Sequence, residues 1–197
     1  MENDFEVLIS SFLKTKIGLS NHFLQTRLAN KLKTNLLELF DNKKFSKAGT
    51  GNAEFISQDL SVRSDSIFWL DRKHDNKSEN EFLDLIDEFV RYLNMTCFAG
   101  ITSYEFHYSM YEKGAFYQKH LDQFQNNSNR KYSMISYLND NWTEADGGQL
   151  LIHQLGNNQN IDPTQGKTIF FKSDELEHEV LVTNARRMSV TGWLKSS

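Results

Sequence analysis

The first half of the chain carries apolar residues at helical spacing. Residues 4–14 (DFEVLISSFLK) fit a short amphipathic helix better than a strand. A second helix is predicted over 24–44, where leucines recur at helical intervals before an Asp-Asn pair. A third is predicted over 81–96, and the loop 74–80 before it holds residues that favour a helix N-cap.

From about residue 102 the pattern changes to short segments in which apolar and polar residues alternate. These segments include SYEFHYSMY, YSMISYLND, GGQLLIH, KTIFFKS, HEVLVT and RRMSVTGWL, and turns rich in Gly, Asn and Asp separate them. Such alternation predicts strands, and the stretches 16–24 and 62–71 are also interpreted as extended. The prediction is an α+β chain, with helices of the first half packed on an antiparallel sandwich or barrel.

Composition narrows the class of protein. The chain has 197 residues, 13% aromatic residues, one cysteine and a formal net charge of −4. This balance lacks the basic footprint of a nucleic-acid-binding protein, and neither a signal peptide nor an apolar run long enough for a membrane span is evident. We therefore expect a cytoplasmic protein with no nucleic-acid or membrane partner. Cys97 is predicted to be a small buried residue.

The segment GAFYQKHLDQF holds a histidine and a carboxylate at alternate positions. In a strand, side chains at i and i+2 point to the same face, so His120 and Asp122 would converge. His178, at the start of a later predicted strand, supplies a third ligand. Two histidines and one carboxylate leave open positions on an octahedral metal, the arrangement of non-haem Fe(II) oxygenases.

Alternation divides the predicted strand ARRMSVTGWL into two faces, and one of them indicates a site for an anion. Arg187, Thr191 and Trp193 fall on one face, while Arg186 lies on the other. A guanidinium inside a barrel is costly unless it meets a carboxylate, and its forked geometry suits bidentate binding. A dicarboxylate co-substrate would supply that group.

These residues together resemble the Fe(II)- and 2-oxoglutarate-dependent oxygenases, and among them the prolyl hydroxylases of the bacterial and hypoxia-sensing type. The HxD…H motif of that family matches His120, Asp122 and His178, and its basic anchor for the distal carboxylate of 2-oxoglutarate matches Arg187. The family fold is a double-stranded β-helix, or jelly roll. The resemblance covers about 60–195 and implies one catalytic domain over 1–197. In it, 1–98 is mainly helical support with the first strands, and 99–197 is the jelly-roll core.

Further matches give the remaining site residues that the resemblance implies. The segment SYLND makes Tyr137 a second donor to the distal carboxylate, and the segment MYEKGAFYQKHLD places Tyr111 at the co-substrate pocket. Thr191 is a third candidate there. The Gly-Gly pair 147–148 also matches, but the segment after Tyr111 is one residue shorter than in the family and has Glu112 where a proline is common.

A segment upstream resembles the family's RxDxIxW stretch. In VRSDSIFW it covers Arg63, Asp65 and Trp69. In the hypoxia-sensing relatives an arginine at the position of Arg130 pairs with the aspartate at the position of Asp65. The resemblance therefore implies an Asp65–Arg130 pair, and Trp69 is interpreted as a core residue.

By this resemblance the protein is a dioxygenase that uses Fe(II) and 2-oxoglutarate, with ascorbate as a candidate further cofactor. Its implied partners are O₂ and a protein or peptide that contains proline, and the products are succinate, CO₂ and hydroxyproline. The expected apolar lining of the barrel is Ile135, Leu150, Ile152 and Trp193.

Several alternatives stay open at this level. The substrate could be a free amino acid or small metabolite, in which case the loops at 48–55 and 71–80 would close the pocket rather than leave a groove. The chain could also be a non-catalytic jelly-roll binding module or a zinc hydrolase, although no HExxH motif accompanies the ligands. His120 and Asp122 could also be a surface pair on an edge strand.

Overall fold

The computed structural model describes residues 2–49, 61–123, 128–154 and 156–196. Within these residues the α-helices are α1 (Glu2–Thr15), α2 (Thr26–Asp41) and α3 (Lys77–Cys97). The strands are β1 (Gly18–Ser20), β2 (Ser46–Lys47), β3 (Ser66–Trp69), β4 (Ser103–Tyr111), β5 (Tyr117–His120), β6 (Arg130–Tyr137), β7 (Leu150–Ile152), β8 (Gln159–Ile161), β9 (Thr168–Lys172), β10 (His178–Val180) and β11 (Arg187–Lys195).

All three helices predicted from apolar spacing are present. Helix α3 begins before the predicted residue 81, because the Asn76 side chain accepts hydrogen bonds from the main-chain N–H groups of Ser78 and Glu79. That side chain supplies partners for N–H groups that the first helical turn cannot pair internally. None of the described helices is long and apolar enough to cross a membrane.

The strands form two antiparallel sheets that confirm the predicted jelly roll. The seven-stranded sheet has the order β1-β9-β6-β11-β4-β3-β2, and the four-stranded sheet has the order β5-β10-β7-β8. Strands from the first half of the chain, β1, β2 and β3, pair into the larger sheet. The two halves of the sequence therefore share one sheet.

Alternation along the central strands divides the interior into two cores. On β4, Phe106, Tyr108 and Met110 pack with the helices in the larger apolar cluster. The intervening residues, among them His107 and Ser109, face the space between the two sheets, where they line a cavity. Period-two alternation therefore gives the same strand one apolar face for the helices and one mixed face for the site.

Candidate active site

The small sheet brings the three predicted metal ligands together. His120 on β5 and His178 on β10 are directly paired across the two antiparallel strands, and Asp122 lies just beyond the end of β5. One ligand atom from each residue lies within 4.8 Å of the other two. The Asp122 carboxylate oxygens are 3.4 Å from His120 Nε2 and 3.6 Å from His178 Nε2, so all three groups face one point.

Main-chain carbonyls fix the orientation of both imidazoles. His120 Nδ1 donates to the carbonyl of Gln118 at 2.7 Å, and His178 Nδ1 donates to the carbonyl of Leu176 at 3.0 Å. A neutral imidazole that donates through Nδ1 keeps a lone pair on Nε2. Both rings therefore present Nε2 to the shared point, as metal-binding histidines commonly do.

Asp122 is ionised in spite of its burial. Only 8% of the residue is exposed, and burial by itself would raise the pKa of the carboxyl. The positive charge that His178 or His120 carries when protonated, and the Ser133 hydroxyl, which donates to Oδ2 at 2.6 Å, outweigh burial and hold the pKa well below its usual range. Ser133 is itself 2.9 Å from the Ser173 hydroxyl, so a buried pair of serines supports the carboxylate.

Burial acts in the opposite sense on His178. It lowers the pKa of the imidazole below its ordinary value, and the attraction of Asp122 offsets this only in part. The ring packs edge-on against Phe171, with 4.8 Å between ring centroids. A neutral imidazole and an ionised carboxylate are the forms that bind a metal, so neither group needs to lose a proton first.

The ligands open into a cavity of about 330 Å³ between the two sheets, and Arg187 also lines it. Arg187 is 2% exposed, and its Nε donates to the carbonyl of Gly148 at 2.8 Å. Gly148 has φ +63°, and a Cβ there would lie 3.1 Å from Arg187 Cδ. A residue without a side chain is thus needed for this close approach.

Two tyrosines surround the guanidinium of Arg187. Arg187 Nη2 donates to the Tyr137 hydroxyl at 3.4 Å, and Arg187 Cζ lies 4.9 Å from the centre of the Tyr111 ring. Thr191 lines the same cavity, and its hydroxyl is 3.1 Å from that of Ser189. Among residues 2–49, 61–123, 128–154 and 156–196, no carboxylate forms an ion pair with Arg187.

Comparison with known proteins agrees with this geometry. The model of the 2OG-Fe(II) oxygenase superfamily matches residues 106–195, which include all three candidate ligands and Arg187. A Pseudomonas putida prolyl-4-hydroxylase is 28% identical, with a TM-score of 0.87, over 98% of this chain and 99% of that one. Residues 106–195, which hold the candidate site, belong to the 2OG-Fe(II) oxygenase superfamily.

More distant structures share the fold of this oxygenase. A Trichoplax adhaerens prolyl hydroxylase, solved with a peptide fragment of the oxygen degradation domain of hypoxia inducible factor, is 23% identical with a TM-score of 0.88. The match covers 99% of this chain and 90% of that one. A prolyl 4-hydroxylase of Phytophthora capsici is 19% identical with a TM-score of 0.80, over 99% of this chain and 64% of that one.

The residues present in this oxygenase fit Fe(II) and 2-oxoglutarate. Two neutral nitrogens and one carboxylate form the donor set of a facial Fe(II) site. At the other end of the cavity, a buried guanidinium lacks a carboxylate among the described residues, and burial of an unpaired charge is costly. The distal carboxylate of 2-oxoglutarate would supply the missing countercharge.

The structure corrects the predicted Asp65–Arg130 pair. Asp65, 1% exposed, accepts two hydrogen bonds from Arg63, at 2.8 and 2.7 Å. Arg130 instead donates to Glu105 Oε1 through two nitrogens and stacks on Trp193, with Cζ 3.5 Å from the ring centre. Arg63 is the nearer partner of Asp65, because the two residues are only two positions apart, just before β3 begins.

Other predictions about single residues also change. Trp69, interpreted as core, is 44% exposed and lines the cavity, and Cys97, predicted to be buried, is exposed at the end of α3. Ile152 is buried but is not among the residues that line the cavity. The remaining apolar candidates do line it, namely Ile135, Leu150 and Trp193.

The structure describes only part of the two loops, 48–55 and 71–80, that would distinguish a peptide groove from a closed pocket. Residues 50–55 of the loop 48–55 lie outside the described residues. The segment 71–80 contains a short 3₁₀ helix (Arg72–His74) and the start of α3, and none of its residues lines the cavity.

Sequence reasoning assigned no role at the site to three residues that the structure places there. Ser133 and Ser173 lie behind Asp122, and His107 lies in the cavity wall. Ser133 stands on β6 at even spacing before Tyr137, so the alternation that predicts Tyr137 inside the barrel also places Ser133 there. Ser173 has no such signal, because its contact depends on the pairing of β6 with β9.

Proposed function

We propose that this oxygenase hydroxylates a prolyl residue of a protein or peptide. The observation that carries the proposal is the arrangement of the His120–Asp122–His178 site and Arg187 in one cavity. The similarity to a prolyl-4-hydroxylase at 28% identity, over nearly the whole of both chains, supports the choice of proline. The Trichoplax structure, which holds a peptide, supports a peptide substrate.

The residues of the cavity divide into a metal end and a carboxylate end. His120, Asp122 and His178 would hold Fe(II) through two imidazole nitrogens and a carboxylate. At the other end, Arg187 and Tyr137 would bind the distal carboxylate of 2-oxoglutarate, with Tyr111 and Thr191 beside them. In the described part of the chain the Tyr111 hydroxyl makes no hydrogen bond with protein, so it is available as a donor.

When bound, Fe(II) and 2-oxoglutarate supply the oxidising chemistry: a substrate C–H, O₂ and 2-oxoglutarate give C–OH, succinate and CO₂. The protein contributes position and shielding. Ile135, Leu150 and Val180 make part of the lining apolar, which keeps water from the reacting groups. The fixed imidazole tautomers and the Ser133 hydrogen bond hold the ligands in place before the metal arrives.

The first experiment is anaerobic titration of the protein with Fe(II) and then 2-oxoglutarate, followed in the visible range for the weak absorption of the chelate. The same protein is then given O₂ and a library of synthetic proline peptides, and hydroxylated products are identified by mass spectrometry. We expect the absorption to disappear in Asp122→Ala and hydroxyproline to form with the wild type.

Three outcomes separate the possible functions. Absence of the absorption in the wild type would refute the metal and co-substrate assignment. Turnover of 2-oxoglutarate with free amino acids but with no peptide would make the substrate a small molecule. Tight binding of 2-oxoglutarate without any turnover would favour a binding module. We also propose a cytoplasmic location, and ascorbate stays a predicted further cofactor.

A further inference from the structure

His107 is a buried imidazole in the cavity wall that has no task in the proposed reaction. It is 3% exposed and lies on β4, where it pairs with Trp69 on β3 and with Thr191 on β11. Directly paired residues of neighbouring strands point to the same face of a sheet. All three side chains line the cavity, so His107 stands in the middle of a row that faces the ligand space.

The hydrogen bonds of His107 leave one acceptor without a partner. Nδ1 is 3.1 Å from the main-chain carbonyl of Tyr108, which can only accept, so Nδ1 carries the proton. The Ser109 hydroxyl lies at 3.1 Å from the same nitrogen. Nε2 is therefore an unprotonated acceptor, and no donor in the described part of the chain hydrogen-bonds to it.

The surroundings of His107 keep it neutral. Burial lowers its pKa to about 4, and the positive charge of Arg63 adds to this effect. The Tyr108 carbonyl and Asp65 act in the opposite sense but do not compensate, and Arg130 adds a further lowering. At neutral pH the ring is thus an acceptor at Nε2 and not a cation.

The strand register places His107 midway between the metal end and the carboxylate end of the cavity. Tyr111, which pairs with Arg187, stands four residues along β4, or about 13 Å at the usual rise of a strand. In the other direction, Glu105 pairs with Trp193, and Trp193 pairs with Ser133, which donates to Asp122. On the Tyr111 side, Ser109 pairs with Ser189, which pairs with Tyr137, so His107 is one same-face position from the row that supports the metal ligand and one from the row of Tyr137.

Aromatic rings flank this acceptor. The Trp69 ring is edge-on to His107 at 5.0 Å, and the Trp193 ring lies 5.6 Å away on the other side. Trp193 Nε1 is a buried donor that also has no hydrogen-bond partner among the described residues. This part of the wall thus combines apolar surface with one buried donor, Trp193 Nε1, and one acceptor, His107 Nε2, that no described residue pairs with.

The chemistry of a prolyl substrate indicates which group meets the acceptor. A prolyl residue has no main-chain N–H, so its own amide cannot donate. The nearest main-chain donor is the N–H of the residue that follows it. We propose that His107 Nε2 accepts a hydrogen bond from the N–H of the residue after the target proline, which makes His107 a substrate-binding residue. This inference rests on the proposed function.

Two small probes that differ in one group test the inference. N-acetylproline N′-methylamide retains the N–H that follows the prolyl unit, and N-acetylproline methyl ester replaces it with oxygen. Their dissociation constants are measured calorimetrically on anaerobic protein loaded with Fe(II) and 2-oxoglutarate. For the wild type we expect about tenfold tighter binding of the amide, the loss of one hydrogen bond to a buried acceptor being worth about 1.4 kcal/mol.

Two variants test whether the preference for the amide probe depends on His107. His107→Leu has similar bulk without an acceptor and should bind both probes equally, while His107→Gln keeps a side-chain acceptor and should recover part of the preference. Equal binding of the two probes by the wild type, a preference that survives in His107→Leu, or no binding of either probe up to its solubility overturns the inference.

The same protein samples separate this inference from the proposed function. His107→Leu should still bind 2-oxoglutarate, because Arg187 and Tyr137, the proposed partners of its distal carboxylate, stay in place. If the wild type itself fails to bind 2-oxoglutarate, the proposed function fails. If it binds 2-oxoglutarate and hydroxylates proline peptides while the two probes bind alike, only the role of His107 fails.

Discussion

Replacing Arg187 with methionine should separate the stability of the protein from its affinity for 2-oxoglutarate. The guanidinium is buried, with no carboxylate among the described residues, and its hydrogen bonds go to the Gly148 carbonyl and the Tyr137 hydroxyl. Loss of these bonds costs about 1–3 kcal/mol for each group left unsatisfied. Removal of a buried, unpaired charge recovers a desolvation penalty of several kcal/mol, so the two effects oppose each other.

We therefore expect the free energy of unfolding of ligand-free Arg187→Met to stay close to that of the wild type. The effect on binding has no such compensation. Two charge-assisted hydrogen bonds to a carboxylate, at about 1.5–3 kcal/mol each, contribute at least about 3 kcal/mol, which corresponds to about 150-fold in the dissociation constant.

Thermal unfolding with and without 2-oxoglutarate measures both quantities. At a concentration of about 100 times the wild-type dissociation constant, ligand binding stabilises the native state by about 2.7 kcal/mol. For a chain of this size that corresponds to a rise in Tm of about 5–11 °C. At the same concentration the variant should gain only about 0.3 kcal/mol, or about 1 °C.

Arg186→Met is the matched control, because it removes the neighbouring arginine, whose exposed side chain lies 3.8 Å from Glu112. It should keep the full rise in Tm. Retention of that rise by Arg187→Met, or its loss in Arg186→Met, would refute the assignment of the anchor. If ligand-free Arg187→Met melts far below the wild type, the lost hydrogen bonds are not offset by the recovered desolvation energy, and that part of the reasoning is wrong.

Further substitutions test the parts of the site that support the ligands. Ser133→Ala removes the donor to Asp122 at 2.6 Å and should weaken metal binding by about 10–100-fold in an anaerobic Fe(II) titration. Unchanged metal affinity would contradict this support. Gly148→Ala should lower the free energy of unfolding more than Gly100→Ala, since both have positive φ but only the former places a Cβ within 3.1 Å of other atoms. If both variants lose the same free energy of unfolding in denaturant, a clash of the added Cβ at Gly148 is excluded. Asp65→Asn leaves its buried arginine partner without a countercharge and should destabilise the fold by about 3–5 kcal/mol, so a Tm near that of the wild type would contradict the pair.

Local spacing in the sequence predicted the helices, most strands and the three candidate ligands of the site. Helical and two-residue periods depend on neighbours along one element, so they are readable without the tertiary structure. The same alternation put Arg187 and Thr191 on one face of the strand and Arg186 on the other, and the structure buries Arg187 and exposes Arg186. The motif spacing predicted which three residues would converge, and the structure brings them within 4.8 Å.

Only the tertiary structure decided which partners the charged and aromatic side chains have. Asp65 and Arg130 are far apart in sequence, and each pairs elsewhere. The register of β4, β11 and β6 brings Glu105 to Arg130, while Arg63 lies beside Asp65 just before β3. The exposure of Trp69 and the free acceptor on His107 arise in the same way. Each depends on the side chains that neighbouring strands bring alongside, and a period read along one strand contains no information about them.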